Sequence, residues 1–173
     1  MAAALREALA RELIVVGGTA QEYHTAAAYH ETDLDLVGVP QPRDPRKLTD
    51  LGFTKRGRHW FHEAARVAVE FPESVLAGDE DRVIHKRIAG GMVAIIGVDD
   101  LYLDRLRQAT ISESDETIEF RSALAVAAAK FDRIDWRYVE RRIRETVKSE
   151  PLVGVRMRRA DRTVRRRVRN ASG

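Results

Sequence analysis

The chain has 173 residues, 44% hydrophobic and 33% charged, a balance that excludes a disordered protein. It contains no cysteine, which excludes disulfides and thiolate metal sites. The net charge of +3 is unevenly spread, because eight arginines and one aspartate lie between Arg156 and Arg169 and leave the rest of the chain net acidic.

The N-terminal residues 2–12 alternate apolar and charged side chains at helical spacing and predict a helix. Charged residues such as Arg6 and Glu12 interrupt any signal-peptide core, and no apolar run in the chain approaches the ~20 residues that span a bilayer. We therefore expect a cytoplasmic protein.

The next segment has the pattern of a strand, a glycine turn and a helix. Leu-Ile-Val-Val at 13–16 predicts a short buried strand that ends at Gly17 and Gly18. Thr19 is expected to cap a breaker-free helix over 20–29. Glycines let the backbone approach a ligand, and the free N–H groups of a helix start attract phosphate, so this turn is a candidate phosphate site.

Residues 32–37, Thr-Asp-Leu-Asp-Leu-Val, alternate strictly and predict a strand. Leu34 and Leu36 share one face, and Asp33 and Asp35 share the other. Two neighbouring carboxylates repel each other and are costly to bury unless something pairs with them. A divalent cation would satisfy both, and oxygen ligands without cysteine favour Mg²⁺ or Mn²⁺ over Zn²⁺.

The middle of the chain is predicted to be rich in strands, after a short helix at 45–51. The strand at 66–71 places Glu70 on the face opposite Val67 and Val69. If this strand lies beside the Asp33–Asp35 strand, three carboxylates converge, and such a triad can hold two metals about 3.5–4 Å apart. Hairpins are expected around Gly57 and around the Gly90-Gly91 pair.

From residue 99 onward the patterns are helical. Ser112 and Asp115 fit a capping box before an apolar, alanine-rich helix, and the helix that follows Asp135 should stop before Pro151. The fold class expected is α+β: a mixed β-sheet core with helices over residues 1–98, then a helical C-terminal region with the arginine-rich tail over 99–173.

The order of strand, Gly-Gly-Thr, helix, Asp-x-Asp strand and a later acidic strand resembles the nucleotidyltransferase superfamily with the polymerase-β-like fold. The resemblance extends to its minimal and abortive-infection-type members and covers about 15–71, with thirteen residues between Thr19 and Asp33. It implies a transfer of a nucleoside monophosphate from an NTP, with Mg²⁺ or Mn²⁺, to the hydroxyl of an RNA end, a protein or a small molecule.

The resemblance also implies roles for individual residues. Gly17, Gly18 and Thr19 match the phosphate-contacting turn, Asp33 and Asp35 match the metal-binding acids, and Glu70 matches the third acid, which in many members is Asp. Many relatives carry a lysine that meets the triphosphate on the helix after the second hairpin. Here the segment Asp-Arg-Leu-Arg offers Arg105 or Arg107 instead.

Alternatives remain open at the level of sequence. The acids could form the solvated face of an edge strand, and the protein could be a catalytically inactive binding module that binds RNA or serves in a toxin–antitoxin pair. A metal-dependent phosphohydrolase would also use paired acids but gives no reason for the Gly-Gly-Thr turn. The segment Arg156–Arg169 is either a solvated helix with a frayed end or a contact surface for RNA or an acidic protein.

Overall fold

The computed structural model describes residues 1–26, 33–38, 41–112 and 114–171. One compact unit consists of Met1–Tyr23 and Tyr29–Gly97, and a second consists of His24–Ala28 and Val98–Gly173. Within the described ranges, no helix is both long and apolar enough to cross a membrane.

The described residues of the first unit form a seven-stranded sheet. Its strands are β1 (Ile14–Val15), β2 (Asp33–Val37), β3 (Thr54–Arg56), β4 (His59–His62), β5 (Val67–Glu70), β6 (Ile84–Ile88) and β7 (Gly91–Ile95). Their order across the sheet is β3-β4-β5-β2-β1-β7-β6. The pairs β1–β7 and β2–β5 are parallel, and the other neighbouring strands are antiparallel. The mixed sheet confirms the α+β class expected from the sequence.

The face of this sheet that carries Leu36 and Val69 contributes most of its buried apolar side chains. Leu36 on β2 and Val69 on β5 are fully buried, and the next residue but one on each side along the strand shares their face, whereas Asp35 and Glu70 lie on the opposite face. The period of two in side-chain direction explains why a strand of alternating leucine and aspartate can close the core and still present carboxylates on its other side. Other buried residues on this face are Val15, Leu34, Trp60, Val93 and Ile95, and the opposite face buries Val37, Ala68 and Ala94.

Helix α1 (Ala2–Leu9) contacts β7 and α3 (Asp44–Asp50), and it buries Leu5 and Leu9. Helix α2 spans Gly17–Thr25. The expectation that Thr19 caps this helix is wrong, because the helix already begins at Gly17 and Thr19 lies in its first turn. The helix was predicted to continue to residue 29, but it ends at Thr25, because Ala26 has a left-handed φ of 53°; residues 27–29 lie outside the described residues.

In the residues that the structure describes, the second unit contains four long helices, which confirms the predicted helical C-terminal region. They are α4 (Val98–Ala109), α5 (Ile118–Lys130), α6 (Trp136–Ser149) and α7 (Pro151–Ala171). Buried side chains from all four helices form its core, including Leu101, Leu106, Phe120, Val126, Ile143 and Val164.

Two details of the helical half differ from the sequence expectation. The N-cap of α5 is Thr117, whose hydroxyl accepts a hydrogen bond from the Phe120 amide at 3.1 Å, whereas Ser112 accepts one from the Ser114 amide. The capping box at Ser112 is therefore wrong, because the threonine directly before the helix satisfies its free amide instead. The arginine-rich tail is not frayed where the structure describes it, since α7 continues to Ala171.

Candidate functional site

The register of β2 and β5 places the predicted acids on one face of the sheet. The two strands run parallel, with Asp33 opposite Ala68 and Asp35 opposite Glu70. Strands paired in this way lie about 4.8 Å apart, and side chains at paired positions point to the same side. Asp33 shares that side because it stands two residues before Asp35. The structure thus brings the three carboxylate positions onto neighbouring strands.

Gly17 lies directly against the carboxylate of Asp35. A Cβ atom at position 17 would overlap Oδ2 of Asp35 and lie 2.8 Å from its Cγ. The Gly17 φ angle of 62° is also in the left-handed region that favours glycine. One residue earlier, the amide of Val16 donates a hydrogen bond to the Asp35 carbonyl at 3.0 Å. The turn between β1 and α2 is therefore held close to both the backbone and the side chain of Asp35.

Thr19 connects the same turn to the other aspartate. Its hydroxyl donates a hydrogen bond to the Asp33 carbonyl at 2.8 Å. Gly17 and Thr19 together hold the start of α2 beside the Asp-x-Asp strand, as the predicted phosphate turn would require. A contact between phosphate and Gly17, Gly18 or Thr19 stays a prediction.

Glu70 already has two basic neighbours on β4 and the turn before it. Arg58 Nε lies 3.1 Å from Oε1 of Glu70, and His59 Nδ1 lies 3.5 Å from Oε2. The Glu70 side chain is 14% exposed, whereas the Arg58 side chain is 76% exposed, so the arginine covers the carboxylate from the solvent side. His59 Nδ1 is itself buried, without a hydrogen-bond partner in the described part of the chain.

Sequence reasoning did not anticipate Arg58 and His59. Strands β4 and β5 are antiparallel and pair Trp60 with Val69. The next residue on each strand is His59 and Glu70, so these two residues lie opposite each other. The signal present in the chain was an Arg-His pair directly after Gly57 at the predicted hairpin, which brings positive charge to the start of β4.

Two grooves of the first unit meet at Asp33. One, of about 390 Å³, is lined mainly by apolar side chains, together with Thr19, Glu22 and Lys86. The other, of about 330 Å³, is lined by Thr54, Arg56, Phe61 and Arg66 among others. Asp33 is exposed and contributes to both, so its carboxylate lies at a position that a ligand could reach from either side.

The three acids suit a hard divalent cation in their donor chemistry and in their shared face. Their side chains are nevertheless not gathered around one point: among the described residues, no three His, Cys, Asp or Glu side chains are placed to hold a metal ion. The contacts of Glu70 with Arg58 and His59 account for part of this difference, because the Glu70 oxygens are directed to those partners.

The two predicted triphosphate arginines lie on α4 in the second unit. Arg105 Nη1 donates to Gln108 Oε1 at 2.9 Å. Arg107 forms a two-point pair with Glu150, with N–O distances of 3.0 and 2.6 Å. Their roles as nucleotide ligands stay predictions.

No known family profile matches the chain, and no curated protein matches it in sequence. A solved structure that is similar is the solution structure of the antibiotic-resistance factor ANT(2'')-Ia. The two chains are 14% identical, with a TM-score of 0.49, over 98% of this chain and 91% of that chain. A likeness at this level does not assign the chain to a family.

Proposed function

We propose that this protein is a metal-dependent nucleotidyltransferase that moves a nucleoside monophosphate from an NTP to an acceptor hydroxyl. The observation that carries the proposal is the pairing of Asp35 with Glu70 on adjacent parallel strands, with Gly17 against the Asp35 carboxylate. This arrangement joins a candidate phosphate turn to a row of acids, which is what phosphoryl-group chemistry with a divalent cation requires.

In this proposal Asp33 and Asp35 would hold Mg²⁺ or Mn²⁺, and the exposure of Asp33 leaves room for a ligand beside it. The bound cation would supply positive charge to offset the negative charge that develops on the reacting phosphate. Glu70 would join the site only after its oxygens leave Arg58 and His59.

In the same proposal, the start of α2 would bind the triphosphate and Glu70 would act as the general base. The amides at the start of α2, near Gly17 and Gly18, would hold the triphosphate, since a helix start presents free N–H groups and positive dipole charge. The acceptor oxygen would attack the α-phosphorus, the bond to the β-phosphate would break, and pyrophosphate would leave. Glu70 would take the proton of the acceptor hydroxyl, which is the role of a general base.

The test is a labelling experiment with NTPs that carry a radioactive α-phosphate, incubated with the full chain, Mg²⁺ and cellular RNA or lysate. We expect labelled acceptor with the native protein and none with Asp35→Asn, which keeps the side-chain shape but removes the charge. The matched control is Asp50→Asn on α3, because Asp50 is exposed and its loss should leave the label unchanged. Equal labelling by native protein and Asp35→Asn would reject the mechanism.

The alternative of an inactive binding module is favoured by one observation, the engagement of Glu70 by Arg58 and His59. The two functions differ in their response to nucleotide. An enzyme of the proposed kind is stabilised against thermal unfolding by NTP only when Mg²⁺ is present, because ligand binding to the folded state raises its stability. A module without the chemistry shows no such metal-dependent shift.

A further inference from the structure

Helix α7 carries eight arginines, and its contacts divide them into two sets. The first set is used within the second unit. Arg156 donates to the Thr110 carbonyl, Arg165 pairs with Asp161 and Glu140, Arg167 lies near Glu116, and Arg169 lies over the Phe131 ring. These arginines have a structural role.

The second set has no such use. Arg158, Arg159, Arg162 and Arg166 form neither ion pairs nor side-chain hydrogen bonds with any residue in the described ranges. The last three are exposed on the side of α7 that faces away from buried residues such as Met157, and Arg158 is half-buried at the edge of that side. The spacing of 158, 162 and 166 repeats every four residues, which keeps them on one side of a helix at intervals of about 6 Å.

Two members of this second set line a groove between α6 and α7. The groove, of about 300 Å³, is lined by Glu140, Ile143, Arg144, Arg158, Asp161, Arg162 and Arg165. We call it the arginine groove. Its two acids are already paired with Arg165, at 2.9 Å for Glu140 and 3.0 Å for Asp161. Arg144, Arg158 and Arg162 form no ion pair with a described acid, and the four arginines and two acids of the lining give the arginine groove a formal charge of +2.

We propose that the arginine groove binds the phosphodiester backbone of a nucleic acid. Unpaired guanidinium groups repeated along a rigid helix suit a ligand with repeated negative charges, and Arg binds phosphate with two N–H groups at once. An acidic protein partner fits less well, because Ile143 is the one apolar side chain among the described residues that line the groove, whereas protein interfaces depend on apolar and aromatic anchors.

The paired acids have a specific effect in this proposal. Asp161 and Glu140 fix the guanidinium of Arg165, which also lies 4.4 Å from the centre of the Trp136 ring. The fixed Arg165 forms part of the groove wall, and the unpaired arginines beside it are left to meet phosphate. The inference does not depend on the proposed transferase reaction, since it concerns binding in the second unit without NTP or metal.

The test measures the binding of the full chain to fluorescent single-stranded RNA, duplex RNA and duplex DNA by anisotropy, at several salt concentrations. The test variant combines Arg144→Gln, Arg158→Gln and Arg162→Gln. The control variant combines Arg43→Gln, Arg46→Gln and Arg87→Gln, which removes the same charge from exposed positions of the first unit. The three nucleic acids distinguish RNA from DNA as the source of the phosphates.

We expect the groove variant to bind nucleic acid at least about tenfold more weakly than the native protein. The slope of the logarithm of its binding constant for single-stranded RNA against the logarithm of the salt concentration should become smaller in magnitude by about 2, because each phosphate contact contributes about 0.7 to that slope. The control variant should change affinity less than about twofold. Thermal unfolding of each variant establishes that it is folded, and Arg162→Glu alone, at an exposed position, serves if the triple variant unfolds.

Three results would overturn the proposal. The first is the absence of nucleic-acid binding by the native chain at low salt. The second is an equal loss of affinity in the groove and control variants. The third is tighter binding of polyglutamate than of any nucleic acid, with the same dependence on the groove arginines, which would assign the groove to an acidic protein.

Discussion

The carboxylate of Asp35 occupies the space where a side chain at Gly17 would begin. This contact joins the turn before α2 to the acidic strand β2. It also means that glycine is needed at position 17 for two separate reasons, its left-handed φ angle and the lack of room for a Cβ atom.

Gly17→Ala should therefore destabilise the protein more than a comparable change elsewhere. Gly57 provides the control, since it has the same φ of 62° but no atom within 4 Å of an added Cβ. We expect Gly57→Ala to lower the free energy of unfolding by about 1–2 kcal/mol, the cost of a left-handed alanine. Gly17→Ala should cost more than that and also reduce nucleotide transfer. Denaturant unfolding of both variants measures the difference, and equal losses would show that the overlap with Asp35 relaxes freely.

The ion pair between Arg58 and Glu70 should compete with metal binding. Arg58→Gln frees Oε1 of Glu70, so we expect half-maximal nucleotide transfer at a lower Mg²⁺ concentration than in the native protein. The matched control is Arg46→Gln on α3, an exposed arginine that lines neither groove at Asp33. A Mg²⁺ requirement that is unchanged, or raised, in Arg58→Gln would contradict the proposed competition.

Asp44 should protect the first unit against unfolding except in strong acid. Burial by itself raises the pKa of Asp44, but hydrogen bonds from Arg11 and from the Gln41 amide lower it more, so the folded-state pKa lies below the ordinary aspartate value of 3.8. A lowered carboxyl pKa stabilises the fold above the unfolded-state pKa, and this contribution is lost as the pH falls through the folded-state pKa.

We expect Asp44→Asn to reduce the free energy of unfolding at pH 7 by about 1.5–3 kcal/mol, the range for hydrogen bonds to charged groups. The difference from the native protein should shrink as the pH falls below 3.8, the ordinary pKa of an aspartate. Urea unfolding at pH 7 and pH 3 measures it, with Asp50→Asn on the same helix as the exposed control. A difference that is constant with pH would show that the charge of Asp44 is not responsible.

Asp161 should have the opposite pH dependence. Burial raises its pKa above the ordinary aspartate value of 3.8, although Arg165 and Tyr102 oppose the shift. A carboxyl group with a raised pKa binds its proton more tightly in the folded state than in the unfolded state. It therefore adds to the free energy of unfolding at low pH, and this contribution is lost as the pH rises through the folded-state pKa. Urea unfolding from pH 3 to pH 7 should show a decrease in the free energy of unfolding with rising pH that is smaller in Asp161→Asn than in the native protein. An equal decrease in both proteins would contradict the prediction.

The hydrogen bond from the Tyr102 hydroxyl to Asp161 Oδ1, at 3.0 Å, should couple α4 to α7. Tyr102→Phe is expected to cost about 1–3 kcal/mol, because it leaves a buried acceptor with one partner fewer. A double-mutant cycle with Asp161→Asn measures the coupling between the two side chains by denaturant unfolding. A coupling energy near zero would mean that Asp161 is satisfied by Arg165 alone.

Local patterns in the chain were sufficient to predict several features. Alternation over residues 32–37 predicted that Leu34 and Leu36 would be buried and that the aspartates would lie on the opposite face, and the burial of β2 agrees. Helical spacing after residue 99 predicted the C-terminal helices, and Pro151 indicated where α6 ends. These features depend on neighbours within a few residues, which the sequence displays directly.

Only the tertiary structure decided which residues meet across the chain. The pairing of Asp35 with Glu70, the contact of Gly17 with Asp35 and the pair formed by Arg58 and Glu70 each join different elements. The same holds for the division of the α7 arginines into paired and unpaired sets. Strand register and ion pairing result from the packing of the whole unit, and no periodicity along the chain contains that information.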